Sequence, residues 1–357
     1  MTTAACGAIM SATAGGSVNF TAYGIVYKLH QIIDSVLCQF IFLVSLCFKN
    51  LIVNHKNTGS VFQMTSATNL KATDVTINAT EGKTYNYTLV NTLAEGNTTV
   101  DFTRVNVKMV VATKGSDKYA SVIRTGNDSE KKTVVINLTD CNFDTTGATG
   151  RSGIAIVPNT TATVNLKNTT IKTKDNFAIR SNEQDINWNN ADTVLTSLDK
   201  TYQDYPVEYY LAKIGDVFYT LTQAVEVANA AKTDTVINLL ANYTIKSQKI
   251  NNQAGKLVTL NGNGKTITTS GGANAFQVGN KVTFKNMTIN HKETGSAIHV
   301  TDVGTIEVAN VTINATSGSA YDFALINILL NADGAKQKAE AGEVTTLNMS
   351  DVKVTMS

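Results

Sequence analysis

The stretch that decides the fold is Val282-Thr283-Phe284-Lys285-Asn286-Met287-Thr288-Ile289. Apolar and polar side chains alternate on either side of Lys285-Asn286, which is typical of two strands that each bury one face. Asn286 stands directly before the third apolar residue, and asparagine is one of the few residues that tolerate a left-handed backbone. A tight hairpin reversal would need glycine. The stretch therefore predicts two short strands joined by one kinked residue, with the chain continuing forward.

The same apolar-x-apolar-x-x-apolar-x-apolar pattern recurs along the chain. The other copies are Leu70/Ala72/Val75/Ile77, Val100/Phe102/Val105/Val107, Ile136/Leu138/Cys141/Phe143, Val164/Leu166/Thr169/Ile171, Ile306/Val308/Val311/Ile313 and Leu347/Met349/Val352/Val354. We call the residue before the third apolar position the corner. In six of the seven copies it is Asn or Asp, and in the seventh it is Arg104; the six are Asp74, Asp140, Asn168, Asn286, Asn310 and Asp351.

Successive copies are about 24 to 41 residues apart. This spacing suits one turn of a right-handed parallel β-helix with external loops of variable length, in which the apolar positions line a continuous interior. Asn and Asp at equivalent corners would stack as ladders. We therefore predict an all-β solenoid.

A longer repeat encloses these copies. Residues 54–60 (NHKNTGS) recur as 290–296 (NHKETGS), and residues 75–80 (VTINAT) recur as 311–316, both separated by 236 positions. This tandem duplication predicts two solenoid repeats, 51–205 and 206–357. Each repeat lacks a part of the sequence that is present in the other. We expect a longer parent protein whose further repeat units pack against these. Residues 331–342, an insertion in the second repeat, are predicted to form an external loop.

Residues 1–50 do not match the repeats. They contain the apolar run 32–48, which is shorter than a membrane-spanning helix needs and includes Asp34. Three alternatives remain open: a degenerate export signal or anchor that makes the chain's only membrane contact, a foreign segment, or a helix across 23–46 that caps the first repeat.

The second repeat begins with a different signal. Thr220 and Gln223 form a capping box, and Leu221, Ala224, Val225 and Ala228 lie on one helical stripe. The sequence predicts a short amphipathic helix that covers the exposed end of the solenoid.

Two segments carry a resemblance to known proteins. Residues 257–267 and 275–289 resemble the opening coils of the pectin-lyase-like β-helix superfamily, and residues 212–231 resemble the entry segment of bacterial surface-protein β-helix repeats. The resemblance covers roughly residues 52–357, and it implies a right-handed parallel β-helix at the cell surface.

The superfamily includes pectate lyases and polygalacturonases, so catalysis must be tested on residues. The chain has no Asp-Asp pair, no Gly-His-Gly and no Arg-Ile-Lys. The least implausible catalytic grouping is Asp144, Arg151, Asp175 and Arg180, with Asp140 beside it; charged loop residues are normally solvated surface. We expect no catalytic site, no metal and no cofactor. Gly262-Asn263-Gly264 is followed by no helix or Lys-Ser/Thr pair and is not a phosphate loop.

Other conspicuous residues have structural explanations. His55 and His291 occupy equivalent positions in the two repeats, and His299 is replaced by Gln63; packing at a turn is the preferred interpretation. Trp188 and the tyrosine cluster Tyr202, Tyr205, Tyr209 and Tyr210 would stack on sugars or, as we favour, pack the junction between the repeats. The cysteines contain no CxxC pair, a disulfide framework is not expected, and Cys141 is interpreted as a buried apolar residue.

Charge gives little information about partners. Only 16% of residues are charged and the net charge is +2, which argues against nucleic acid. We expect a non-catalytic extracellular scaffold of the adhesin type, binding an unidentified host or cell-surface glycan or protein. The alternative is a polysaccharide lyase, a glycoside hydrolase or a polysaccharide-binding module on the same fold.

Overall fold

The computed structural model describes residues 9–13, 17–21, 32–34, 38–40, 45–55, 60–64, 69–79, 88–93, 96–110, 119–126, 131–182, 184, 186–271, 274–315, 324–330 and 334–356. The chain divides into two compact units, unit 1 (Met1–Tyr209) and unit 2 (Tyr210–Ser357).

Unit 1 is built almost entirely of short strands. They are β1 (Ile9–Thr13), β2 (Ser17–Thr21), β3 (Ile32–Asp34), β4 (Cys38–Phe40), β5 (Ser45–Asn54), β6 (Phe62–Met64), β7 (Asn69–Ala79), β8 (Val90–Thr92), β9 (Gly96–Met109), β10 (Ser121–Arg124), β11 (Lys132–Thr139), β12 (Asn142–Thr145), β13 (Ser152–Ala155), β14 (Thr160–Lys167), β15 (Thr170–Thr173), β16 (Ile179–Arg180), β17 (Ile186–Ala191) and β18 (Val194–Ser197), followed by helix α1 (Lys200–Gln203).

Strands β1 and β2 form a separate antiparallel pair, and the other strands form a parallel solenoid. The chain passes along β9, turns a corner within it, continues through β10, and returns beside itself as β11, β12 and β13. Strands β11 and β12 both pair with β9 in parallel, and β13 pairs with β10 in parallel. Six strands form the third face in the order β16-β13-β10-β8-β6-β4. The all-β solenoid predicted from the sequence is therefore confirmed.

The predicted apolar positions form the interior. Val100 lies in register with Ile136, which lies in register with Val164, and all three are fully buried. Cys141 also lies in this interior, and burial raises the pKa of its thiol to about 11. An inert, buried apolar role for Cys141 agrees with the interpretation from the sequence. Cys47, by contrast, is disulfide-bonded, so the chain does contain a covalent cross-link.

The coil pattern begins earlier than the sequence analysis counted. Strand β5 runs across residues 50 and 51, pairs in parallel with β7, and has a left-handed corner at Asn50 (φ 54°). Phe48-Lys49-Asn50 repeats Phe284-Lys285-Asn286 at the same separation of 236. Within 23–46, the described residues form β3, β4 and the start of β5, so the helical alternative is wrong there. This segment is rich in β-branched and aromatic residues, which favour strands.

Unit 2 repeats the architecture. Its elements are β19 (Ala212–Ile214), β20 (Val217–Tyr219), α2 (Leu221–Ala230), β21 (Thr235–Leu239), β22 (Tyr243–Ile245), β23 (Gln248–Ile250), β24 (Leu257–Asn261), β25 (Thr266–Thr269), β26 (Phe276–His291), β27 (Ile298–Ala315), β28 (Ile326–Ile328), α3 (Ala335–Glu340) and β29 (Thr346–Met356). Strands β26, β27 and β29 stack in parallel, with Phe284 beside Val308 and Val308 beside Met349.

Helix α2 forms where the capping box predicts it. The Thr220 side chain accepts from the Gln223 amide, and the Gln223 side chain accepts from the Thr220 amide. Its buried residues are the predicted stripe, Leu221, Ala224, Val225 and Ala228. An antiparallel hairpin that was not predicted, β19–β20, precedes α2, and its strand β19 pairs with β21. The first coil of unit 2 is therefore covered by both a helix and a hairpin.

The insertion at 331–342 differs from the prediction of a loop. Residues 335–340 form α3, because Ala, Lys, Gln and Glu are good helix formers. Lys338 Nζ lies 3.1 Å from both carboxylate oxygens of the buried Asp302, which fastens α3 to β27. In the part of the chain that the structure describes, no helix is long and apolar enough to cross a membrane.

Candidate functional site

The four weak catalytic candidates lie on neighbouring coils of unit 1. Asp144 is in β12, Arg151 directly precedes β13, Asp175 follows β15, and Arg180 is in β16. Strands β12 and β15 pair in parallel, as do β13 and β16. The solenoid thus places all four residues on two successive coils, near the turn from the second face to the third.

The Asp144 carboxylate is hydrogen-bonded within its own turn. Its Oδ1 accepts from the amide and the hydroxyl of Thr146, at 2.9 and 2.6 Å. Partial burial raises the pKa of the Asp144 carboxyl, but the hydrogen bonds from Thr146 and the charges of Lys108 and Lys172 outweigh it, so the pKa lies below its ordinary value. A general acid in glycoside hydrolysis needs a raised pKa. Asp144 is therefore unsuited to that role.

Arg151 is buried, and Asp175 joins one coil to the next. Arg151 is 1% exposed, which keeps its guanidinium away from any polymer at the surface. Asp175 Oδ1 accepts from the Gly150 amide at 2.6 Å, and the Asn176 side chain donates to the Gly150 carbonyl oxygen at 3.1 Å. This pair of contacts joins the turn at Gly150 to the turn one coil further on.

Arg180 is engaged elsewhere. Its Nε lies 3.3 Å from Glu208 Oε1, and Glu208 also accepts from the Asn182 amide at 2.8 Å. The Ser181 hydroxyl donates to the Glu208 carbonyl oxygen at 2.8 Å. The nearest acidic partner of Arg180 is thus Glu208, which the sequence analysis did not single out. Among the described residues, no group of three or more His, Cys, Asp or Glu side chains is placed to hold a metal ion.

The corner residues have a uniform geometry. All seven positions, the six Asn or Asp residues and Arg104, have φ between 45° and 56°. Two further corners that were not predicted, Asn50 and Asp192, have φ of 54° and 49°. For Asn50 the signal was present in the repeat of Phe48-Lys49-Asn50.

Corner side chains bond from coil to coil. Asn168 donates to Asp140 Oδ1 at 2.8 Å, and Asn310 donates to Asn286 Oδ1 at 3.0 Å. At the exceptional corner, Arg104 donates from Nε and Nη2 to Asp74, at 2.6 and 2.9 Å. The hydrogen bond and charge of Arg104 lower the pKa of Asp74. Asp140 and Asp74 thus bond to the neighbouring coil.

A second set of ladders lies outside the corners. Asn78 donates to Asn54 at 2.9 Å, Asn165 donates to Asn137 at 2.7 Å, and Asn314 donates to Asn290 at 2.9 Å. The amide side chain can donate and accept at once, and Asn137 does both, accepting from Asn165 on one neighbouring coil and donating to Asp101 on the other. Coil stacking therefore uses asparagines both at the corners and outside them.

His55 and His291 lie at the ends of strands β5 and β26, and His299 lies within β27. His291 is fully buried, and its Nε2 donates to the Gly295 carbonyl oxygen at 2.6 Å, which closes the turn at 292–295. His299 is 7% exposed, and burial lowers its pKa. His55 is also buried, and its amide donates to the Asn78 carbonyl oxygen at 2.7 Å. These three histidines thus occupy packed positions.

Three of the aromatic candidates, Tyr202, Tyr205 and Tyr210, pack against protein. The ring of Phe177 lies 4.7 Å from that of Tyr202, in an edge-to-face arrangement, and 5.8 Å from that of Tyr205. Tyr210 is fully buried, whereas Tyr209 is 43% exposed. The side chain of Trp188 lies outside the described residues, although its backbone is part of β17.

An open groove of about 580 Å³ runs along α2 in unit 2. It is lined by Thr222, Glu226, Asn229, Tyr243, Lys246 and Gln248 among others. Asn229 is already bonded, donating to the Lys249 carbonyl oxygen and accepting from the Asn251 amide. Burial raises the pKa of Tyr243, whose ring is half-buried at this groove. Comparison with protein-family models, curated proteins and solved structures finds no match to this chain.

Proposed function

We propose that this chain is a non-catalytic extracellular scaffold of the adhesin type, related to the pectin-lyase-like β-helices, that presents binding surface to a cell-surface glycan or protein. One observation carries the proposal. The polar groups that chemistry would need are used in bonds within and between coils, or are buried. Asp144 is bonded to Thr146, Arg180 is paired with Glu208, and Arg151 is inaccessible.

A scaffold needs a rigid body more than a reactive cleft. Parallel strands in register, an apolar interior and stacked asparagines give that rigidity within each unit. The loops between strands vary in length without disturbing the stack. Variable loops on a fixed solenoid are where recognition of a partner is expected.

A polysaccharide-cleavage assay tests the proposal against the enzymatic alternative. With polygalacturonate as substrate, with and without Ca²⁺, we expect no product above the buffer blank. Asp144→Asn and the matched surface variant Asp216→Asn are assayed in parallel, because the Asp216 carboxylate is 96% exposed in unit 2. If the chain cleaves the substrate, and Asp144→Asn abolishes the cleavage while Asp216→Asn does not, the non-catalytic proposal is wrong.

The groove along α2 favours a second candidate, a polysaccharide-binding module. Its volume lies within the range of about 300–1,000 Å³ that is usual for ligand sites, and a tyrosine ring beside amide and charged groups is suited to a sugar. A glycan array tests whether this groove binds sugar. Lys246→Ala should weaken glycan binding if the groove is the binding site. The control Lys281→Ala, at an exposed position outside the groove, should leave binding unchanged.

A further inference from the structure

Strand β23, in the first coil of unit 2, has one edge in the parallel stack and one edge towards helix α2. On the first edge it pairs with β26, and the Gln248 amide donates to the Ala275 carbonyl oxygen at 2.8 Å. Backbone groups of successive residues in a strand point to opposite sides, so the Lys249 carbonyl and the Asn251 amide belong to the second edge. In unit 2 the chain before this coil forms hairpin β19–β20 and α2, and not another coil.

The side chain of Asn229, on α2, bonds to this second edge in the way that a strand would. Its Nδ2 donates to the Lys249 carbonyl oxygen at 2.8 Å, and its Oδ1 accepts from the Asn251 amide at 2.9 Å. In a parallel ladder, a residue of the neighbouring strand bonds to the same two groups, the carbonyl before and the amide after the residue beside it. The Asn229 carboxamide therefore takes the place of a strand residue beside Ile250.

Helix α2 is fastened to the first coil at both of its ends. Asn252, which is 1% exposed, donates to the carbonyl oxygens of Ala228 and Ala231 at 2.7 and 2.9 Å. These carbonyls lie at the C-terminal end of α2, where helical partners are lacking. Near the N-terminal end, the Gln248 side chain donates to the Thr222 hydroxyl at 3.2 Å. Thr222 thus contacts a side chain of β23 and leaves the backbone groups of its edge untouched.

We propose that Asn229 blocks strand addition at β23 and so prevents this edge from pairing with a second copy of the chain. An unpaired strand edge is a template for pairing with another chain. The carboxamide satisfies the two backbone groups that an incoming strand would use. A second copy is the partner that fits, because in a symmetric pair the β23 edge of each copy would meet the same edge of the other. This inference goes beyond the scaffold function and does not rest on it.

Asn229→Ala in the full chain tests the proposal. The substitution removes both bonds, and alanine is the best helix former, so α2 is retained. By hydrogen–deuterium exchange, the Asn251 amide should exchange about tenfold faster or more than in the parent, because its acceptor is gone. By sedimentation velocity over a range of protein concentrations, the variant should form dimers or larger species that the parent does not form.

Two control variants identify the surface that associates. Thr222→Val removes a contact between α2 and β23 that uses no backbone group of the edge, and it should match the parent in both measurements. Lys249→Pro, added to Asn229→Ala, should abolish the association, because proline removes an N–H group from the edge.

The outcomes divide as follows. Parent-like exchange of the Asn251 amide in Asn229→Ala, or parent-like sedimentation, would overturn the proposal. Association of Thr222→Val to the same extent, or association that Lys249→Pro does not suppress, would place the contact on another surface and would also overturn it. If the circular dichroism of Asn229→Ala shows loss of the fold, Asn229→Asp replaces it. Asn229→Asp loses the donor to Lys249 and should show the same added association.

Discussion

Phe284→Asp should lower the free energy of unfolding of unit 2 by about 4 kcal/mol or more. Phe284 is fully buried, lies in register between Leu260 and Val308, and has its ring 5.0 Å from that of Phe276. Removing a buried phenylalanine alone costs about 3–5 kcal/mol. The unpaired carboxylate adds to that cost, because the stacked interior offers it neither water nor a partner. Chemical denaturation followed by far-UV circular dichroism measures the change, since the single tryptophan, Trp188, lies in unit 1.

Lys281→Asp is the matched control. It places the same charge on the same strand, at an exposed position, and should change the free energy of unfolding by no more than about 0.5 kcal/mol. If Phe284→Asp unfolded at the same denaturant concentration as the parent, the assignment of Phe284 to the interior would be wrong.

Gly304→Ala should destabilise unit 2 by about 2–3 kcal/mol. Gly304 lies beside Asn280 in the parallel register of β26 and β27. A Cβ atom on Gly304 would collide with the backbone carbonyl oxygen of Asn280, and a backbone atom cannot move aside as a flexible side chain can. Two coils would have to separate locally, which would break ladder hydrogen bonds on both sides.

Gly264→Ala is the control that distinguishes a steric collision of the added Cβ atom from strain in the backbone. Gly264 also has a positive φ, 76°, but an added Cβ would meet no atom within 4 Å. Only the left-handed strain remains, about 1 kcal/mol. Thermal unfolding of both variants gives the comparison, and equal losses of stability would argue against the close approach of the two coils at Gly304.

Much of the fold could be predicted because its determinants are local. Alternation of apolar residues marks the paired strands, and an Asn or Asp before the third apolar position marks the corner. The capping box at Thr220 and Gln223 is equally local, and α2 begins there. These signals need no knowledge of what packs against them.

Features without a local signal were missed. Strands of the third face, such as β16 (Ile179–Arg180), are too short to show alternation. Hairpin β19–β20 is recognisable only from its pairing with β21. The apolar run at 32–48 obscured the coil that includes Asn50, although the repeat of Phe48-Lys49-Asn50 contained the signal.

The candidate site was harder to judge from sequence, because its geometry depends on how loops of different length bring coils together. The sequence placed Asp144, Arg151, Asp175 and Arg180 within 37 residues. It gave no sign that Arg151 is buried, or that Arg180 pairs with Glu208. Those contacts decide the chemistry, and they form only when coils stack.

Disulfide trapping tests the stacking of parallel coils most directly. Thr288 and Thr312 lie side by side on β26 and β27, with outward side chains. Neighbouring strands are about 4.8 Å apart, which is within the range of about 4.4–6.8 Å between Cα atoms that a disulfide spans. Under mild oxidation, Thr288→Cys/Thr312→Cys should form the cross-link, detected by mass spectrometry of the linked peptides. Thr288→Cys/Asn314→Cys, whose Cα atoms are about 8 Å apart on the same lattice, should not. Failure of the first pair to cross-link, or equal cross-linking by both, would contradict the stacked register.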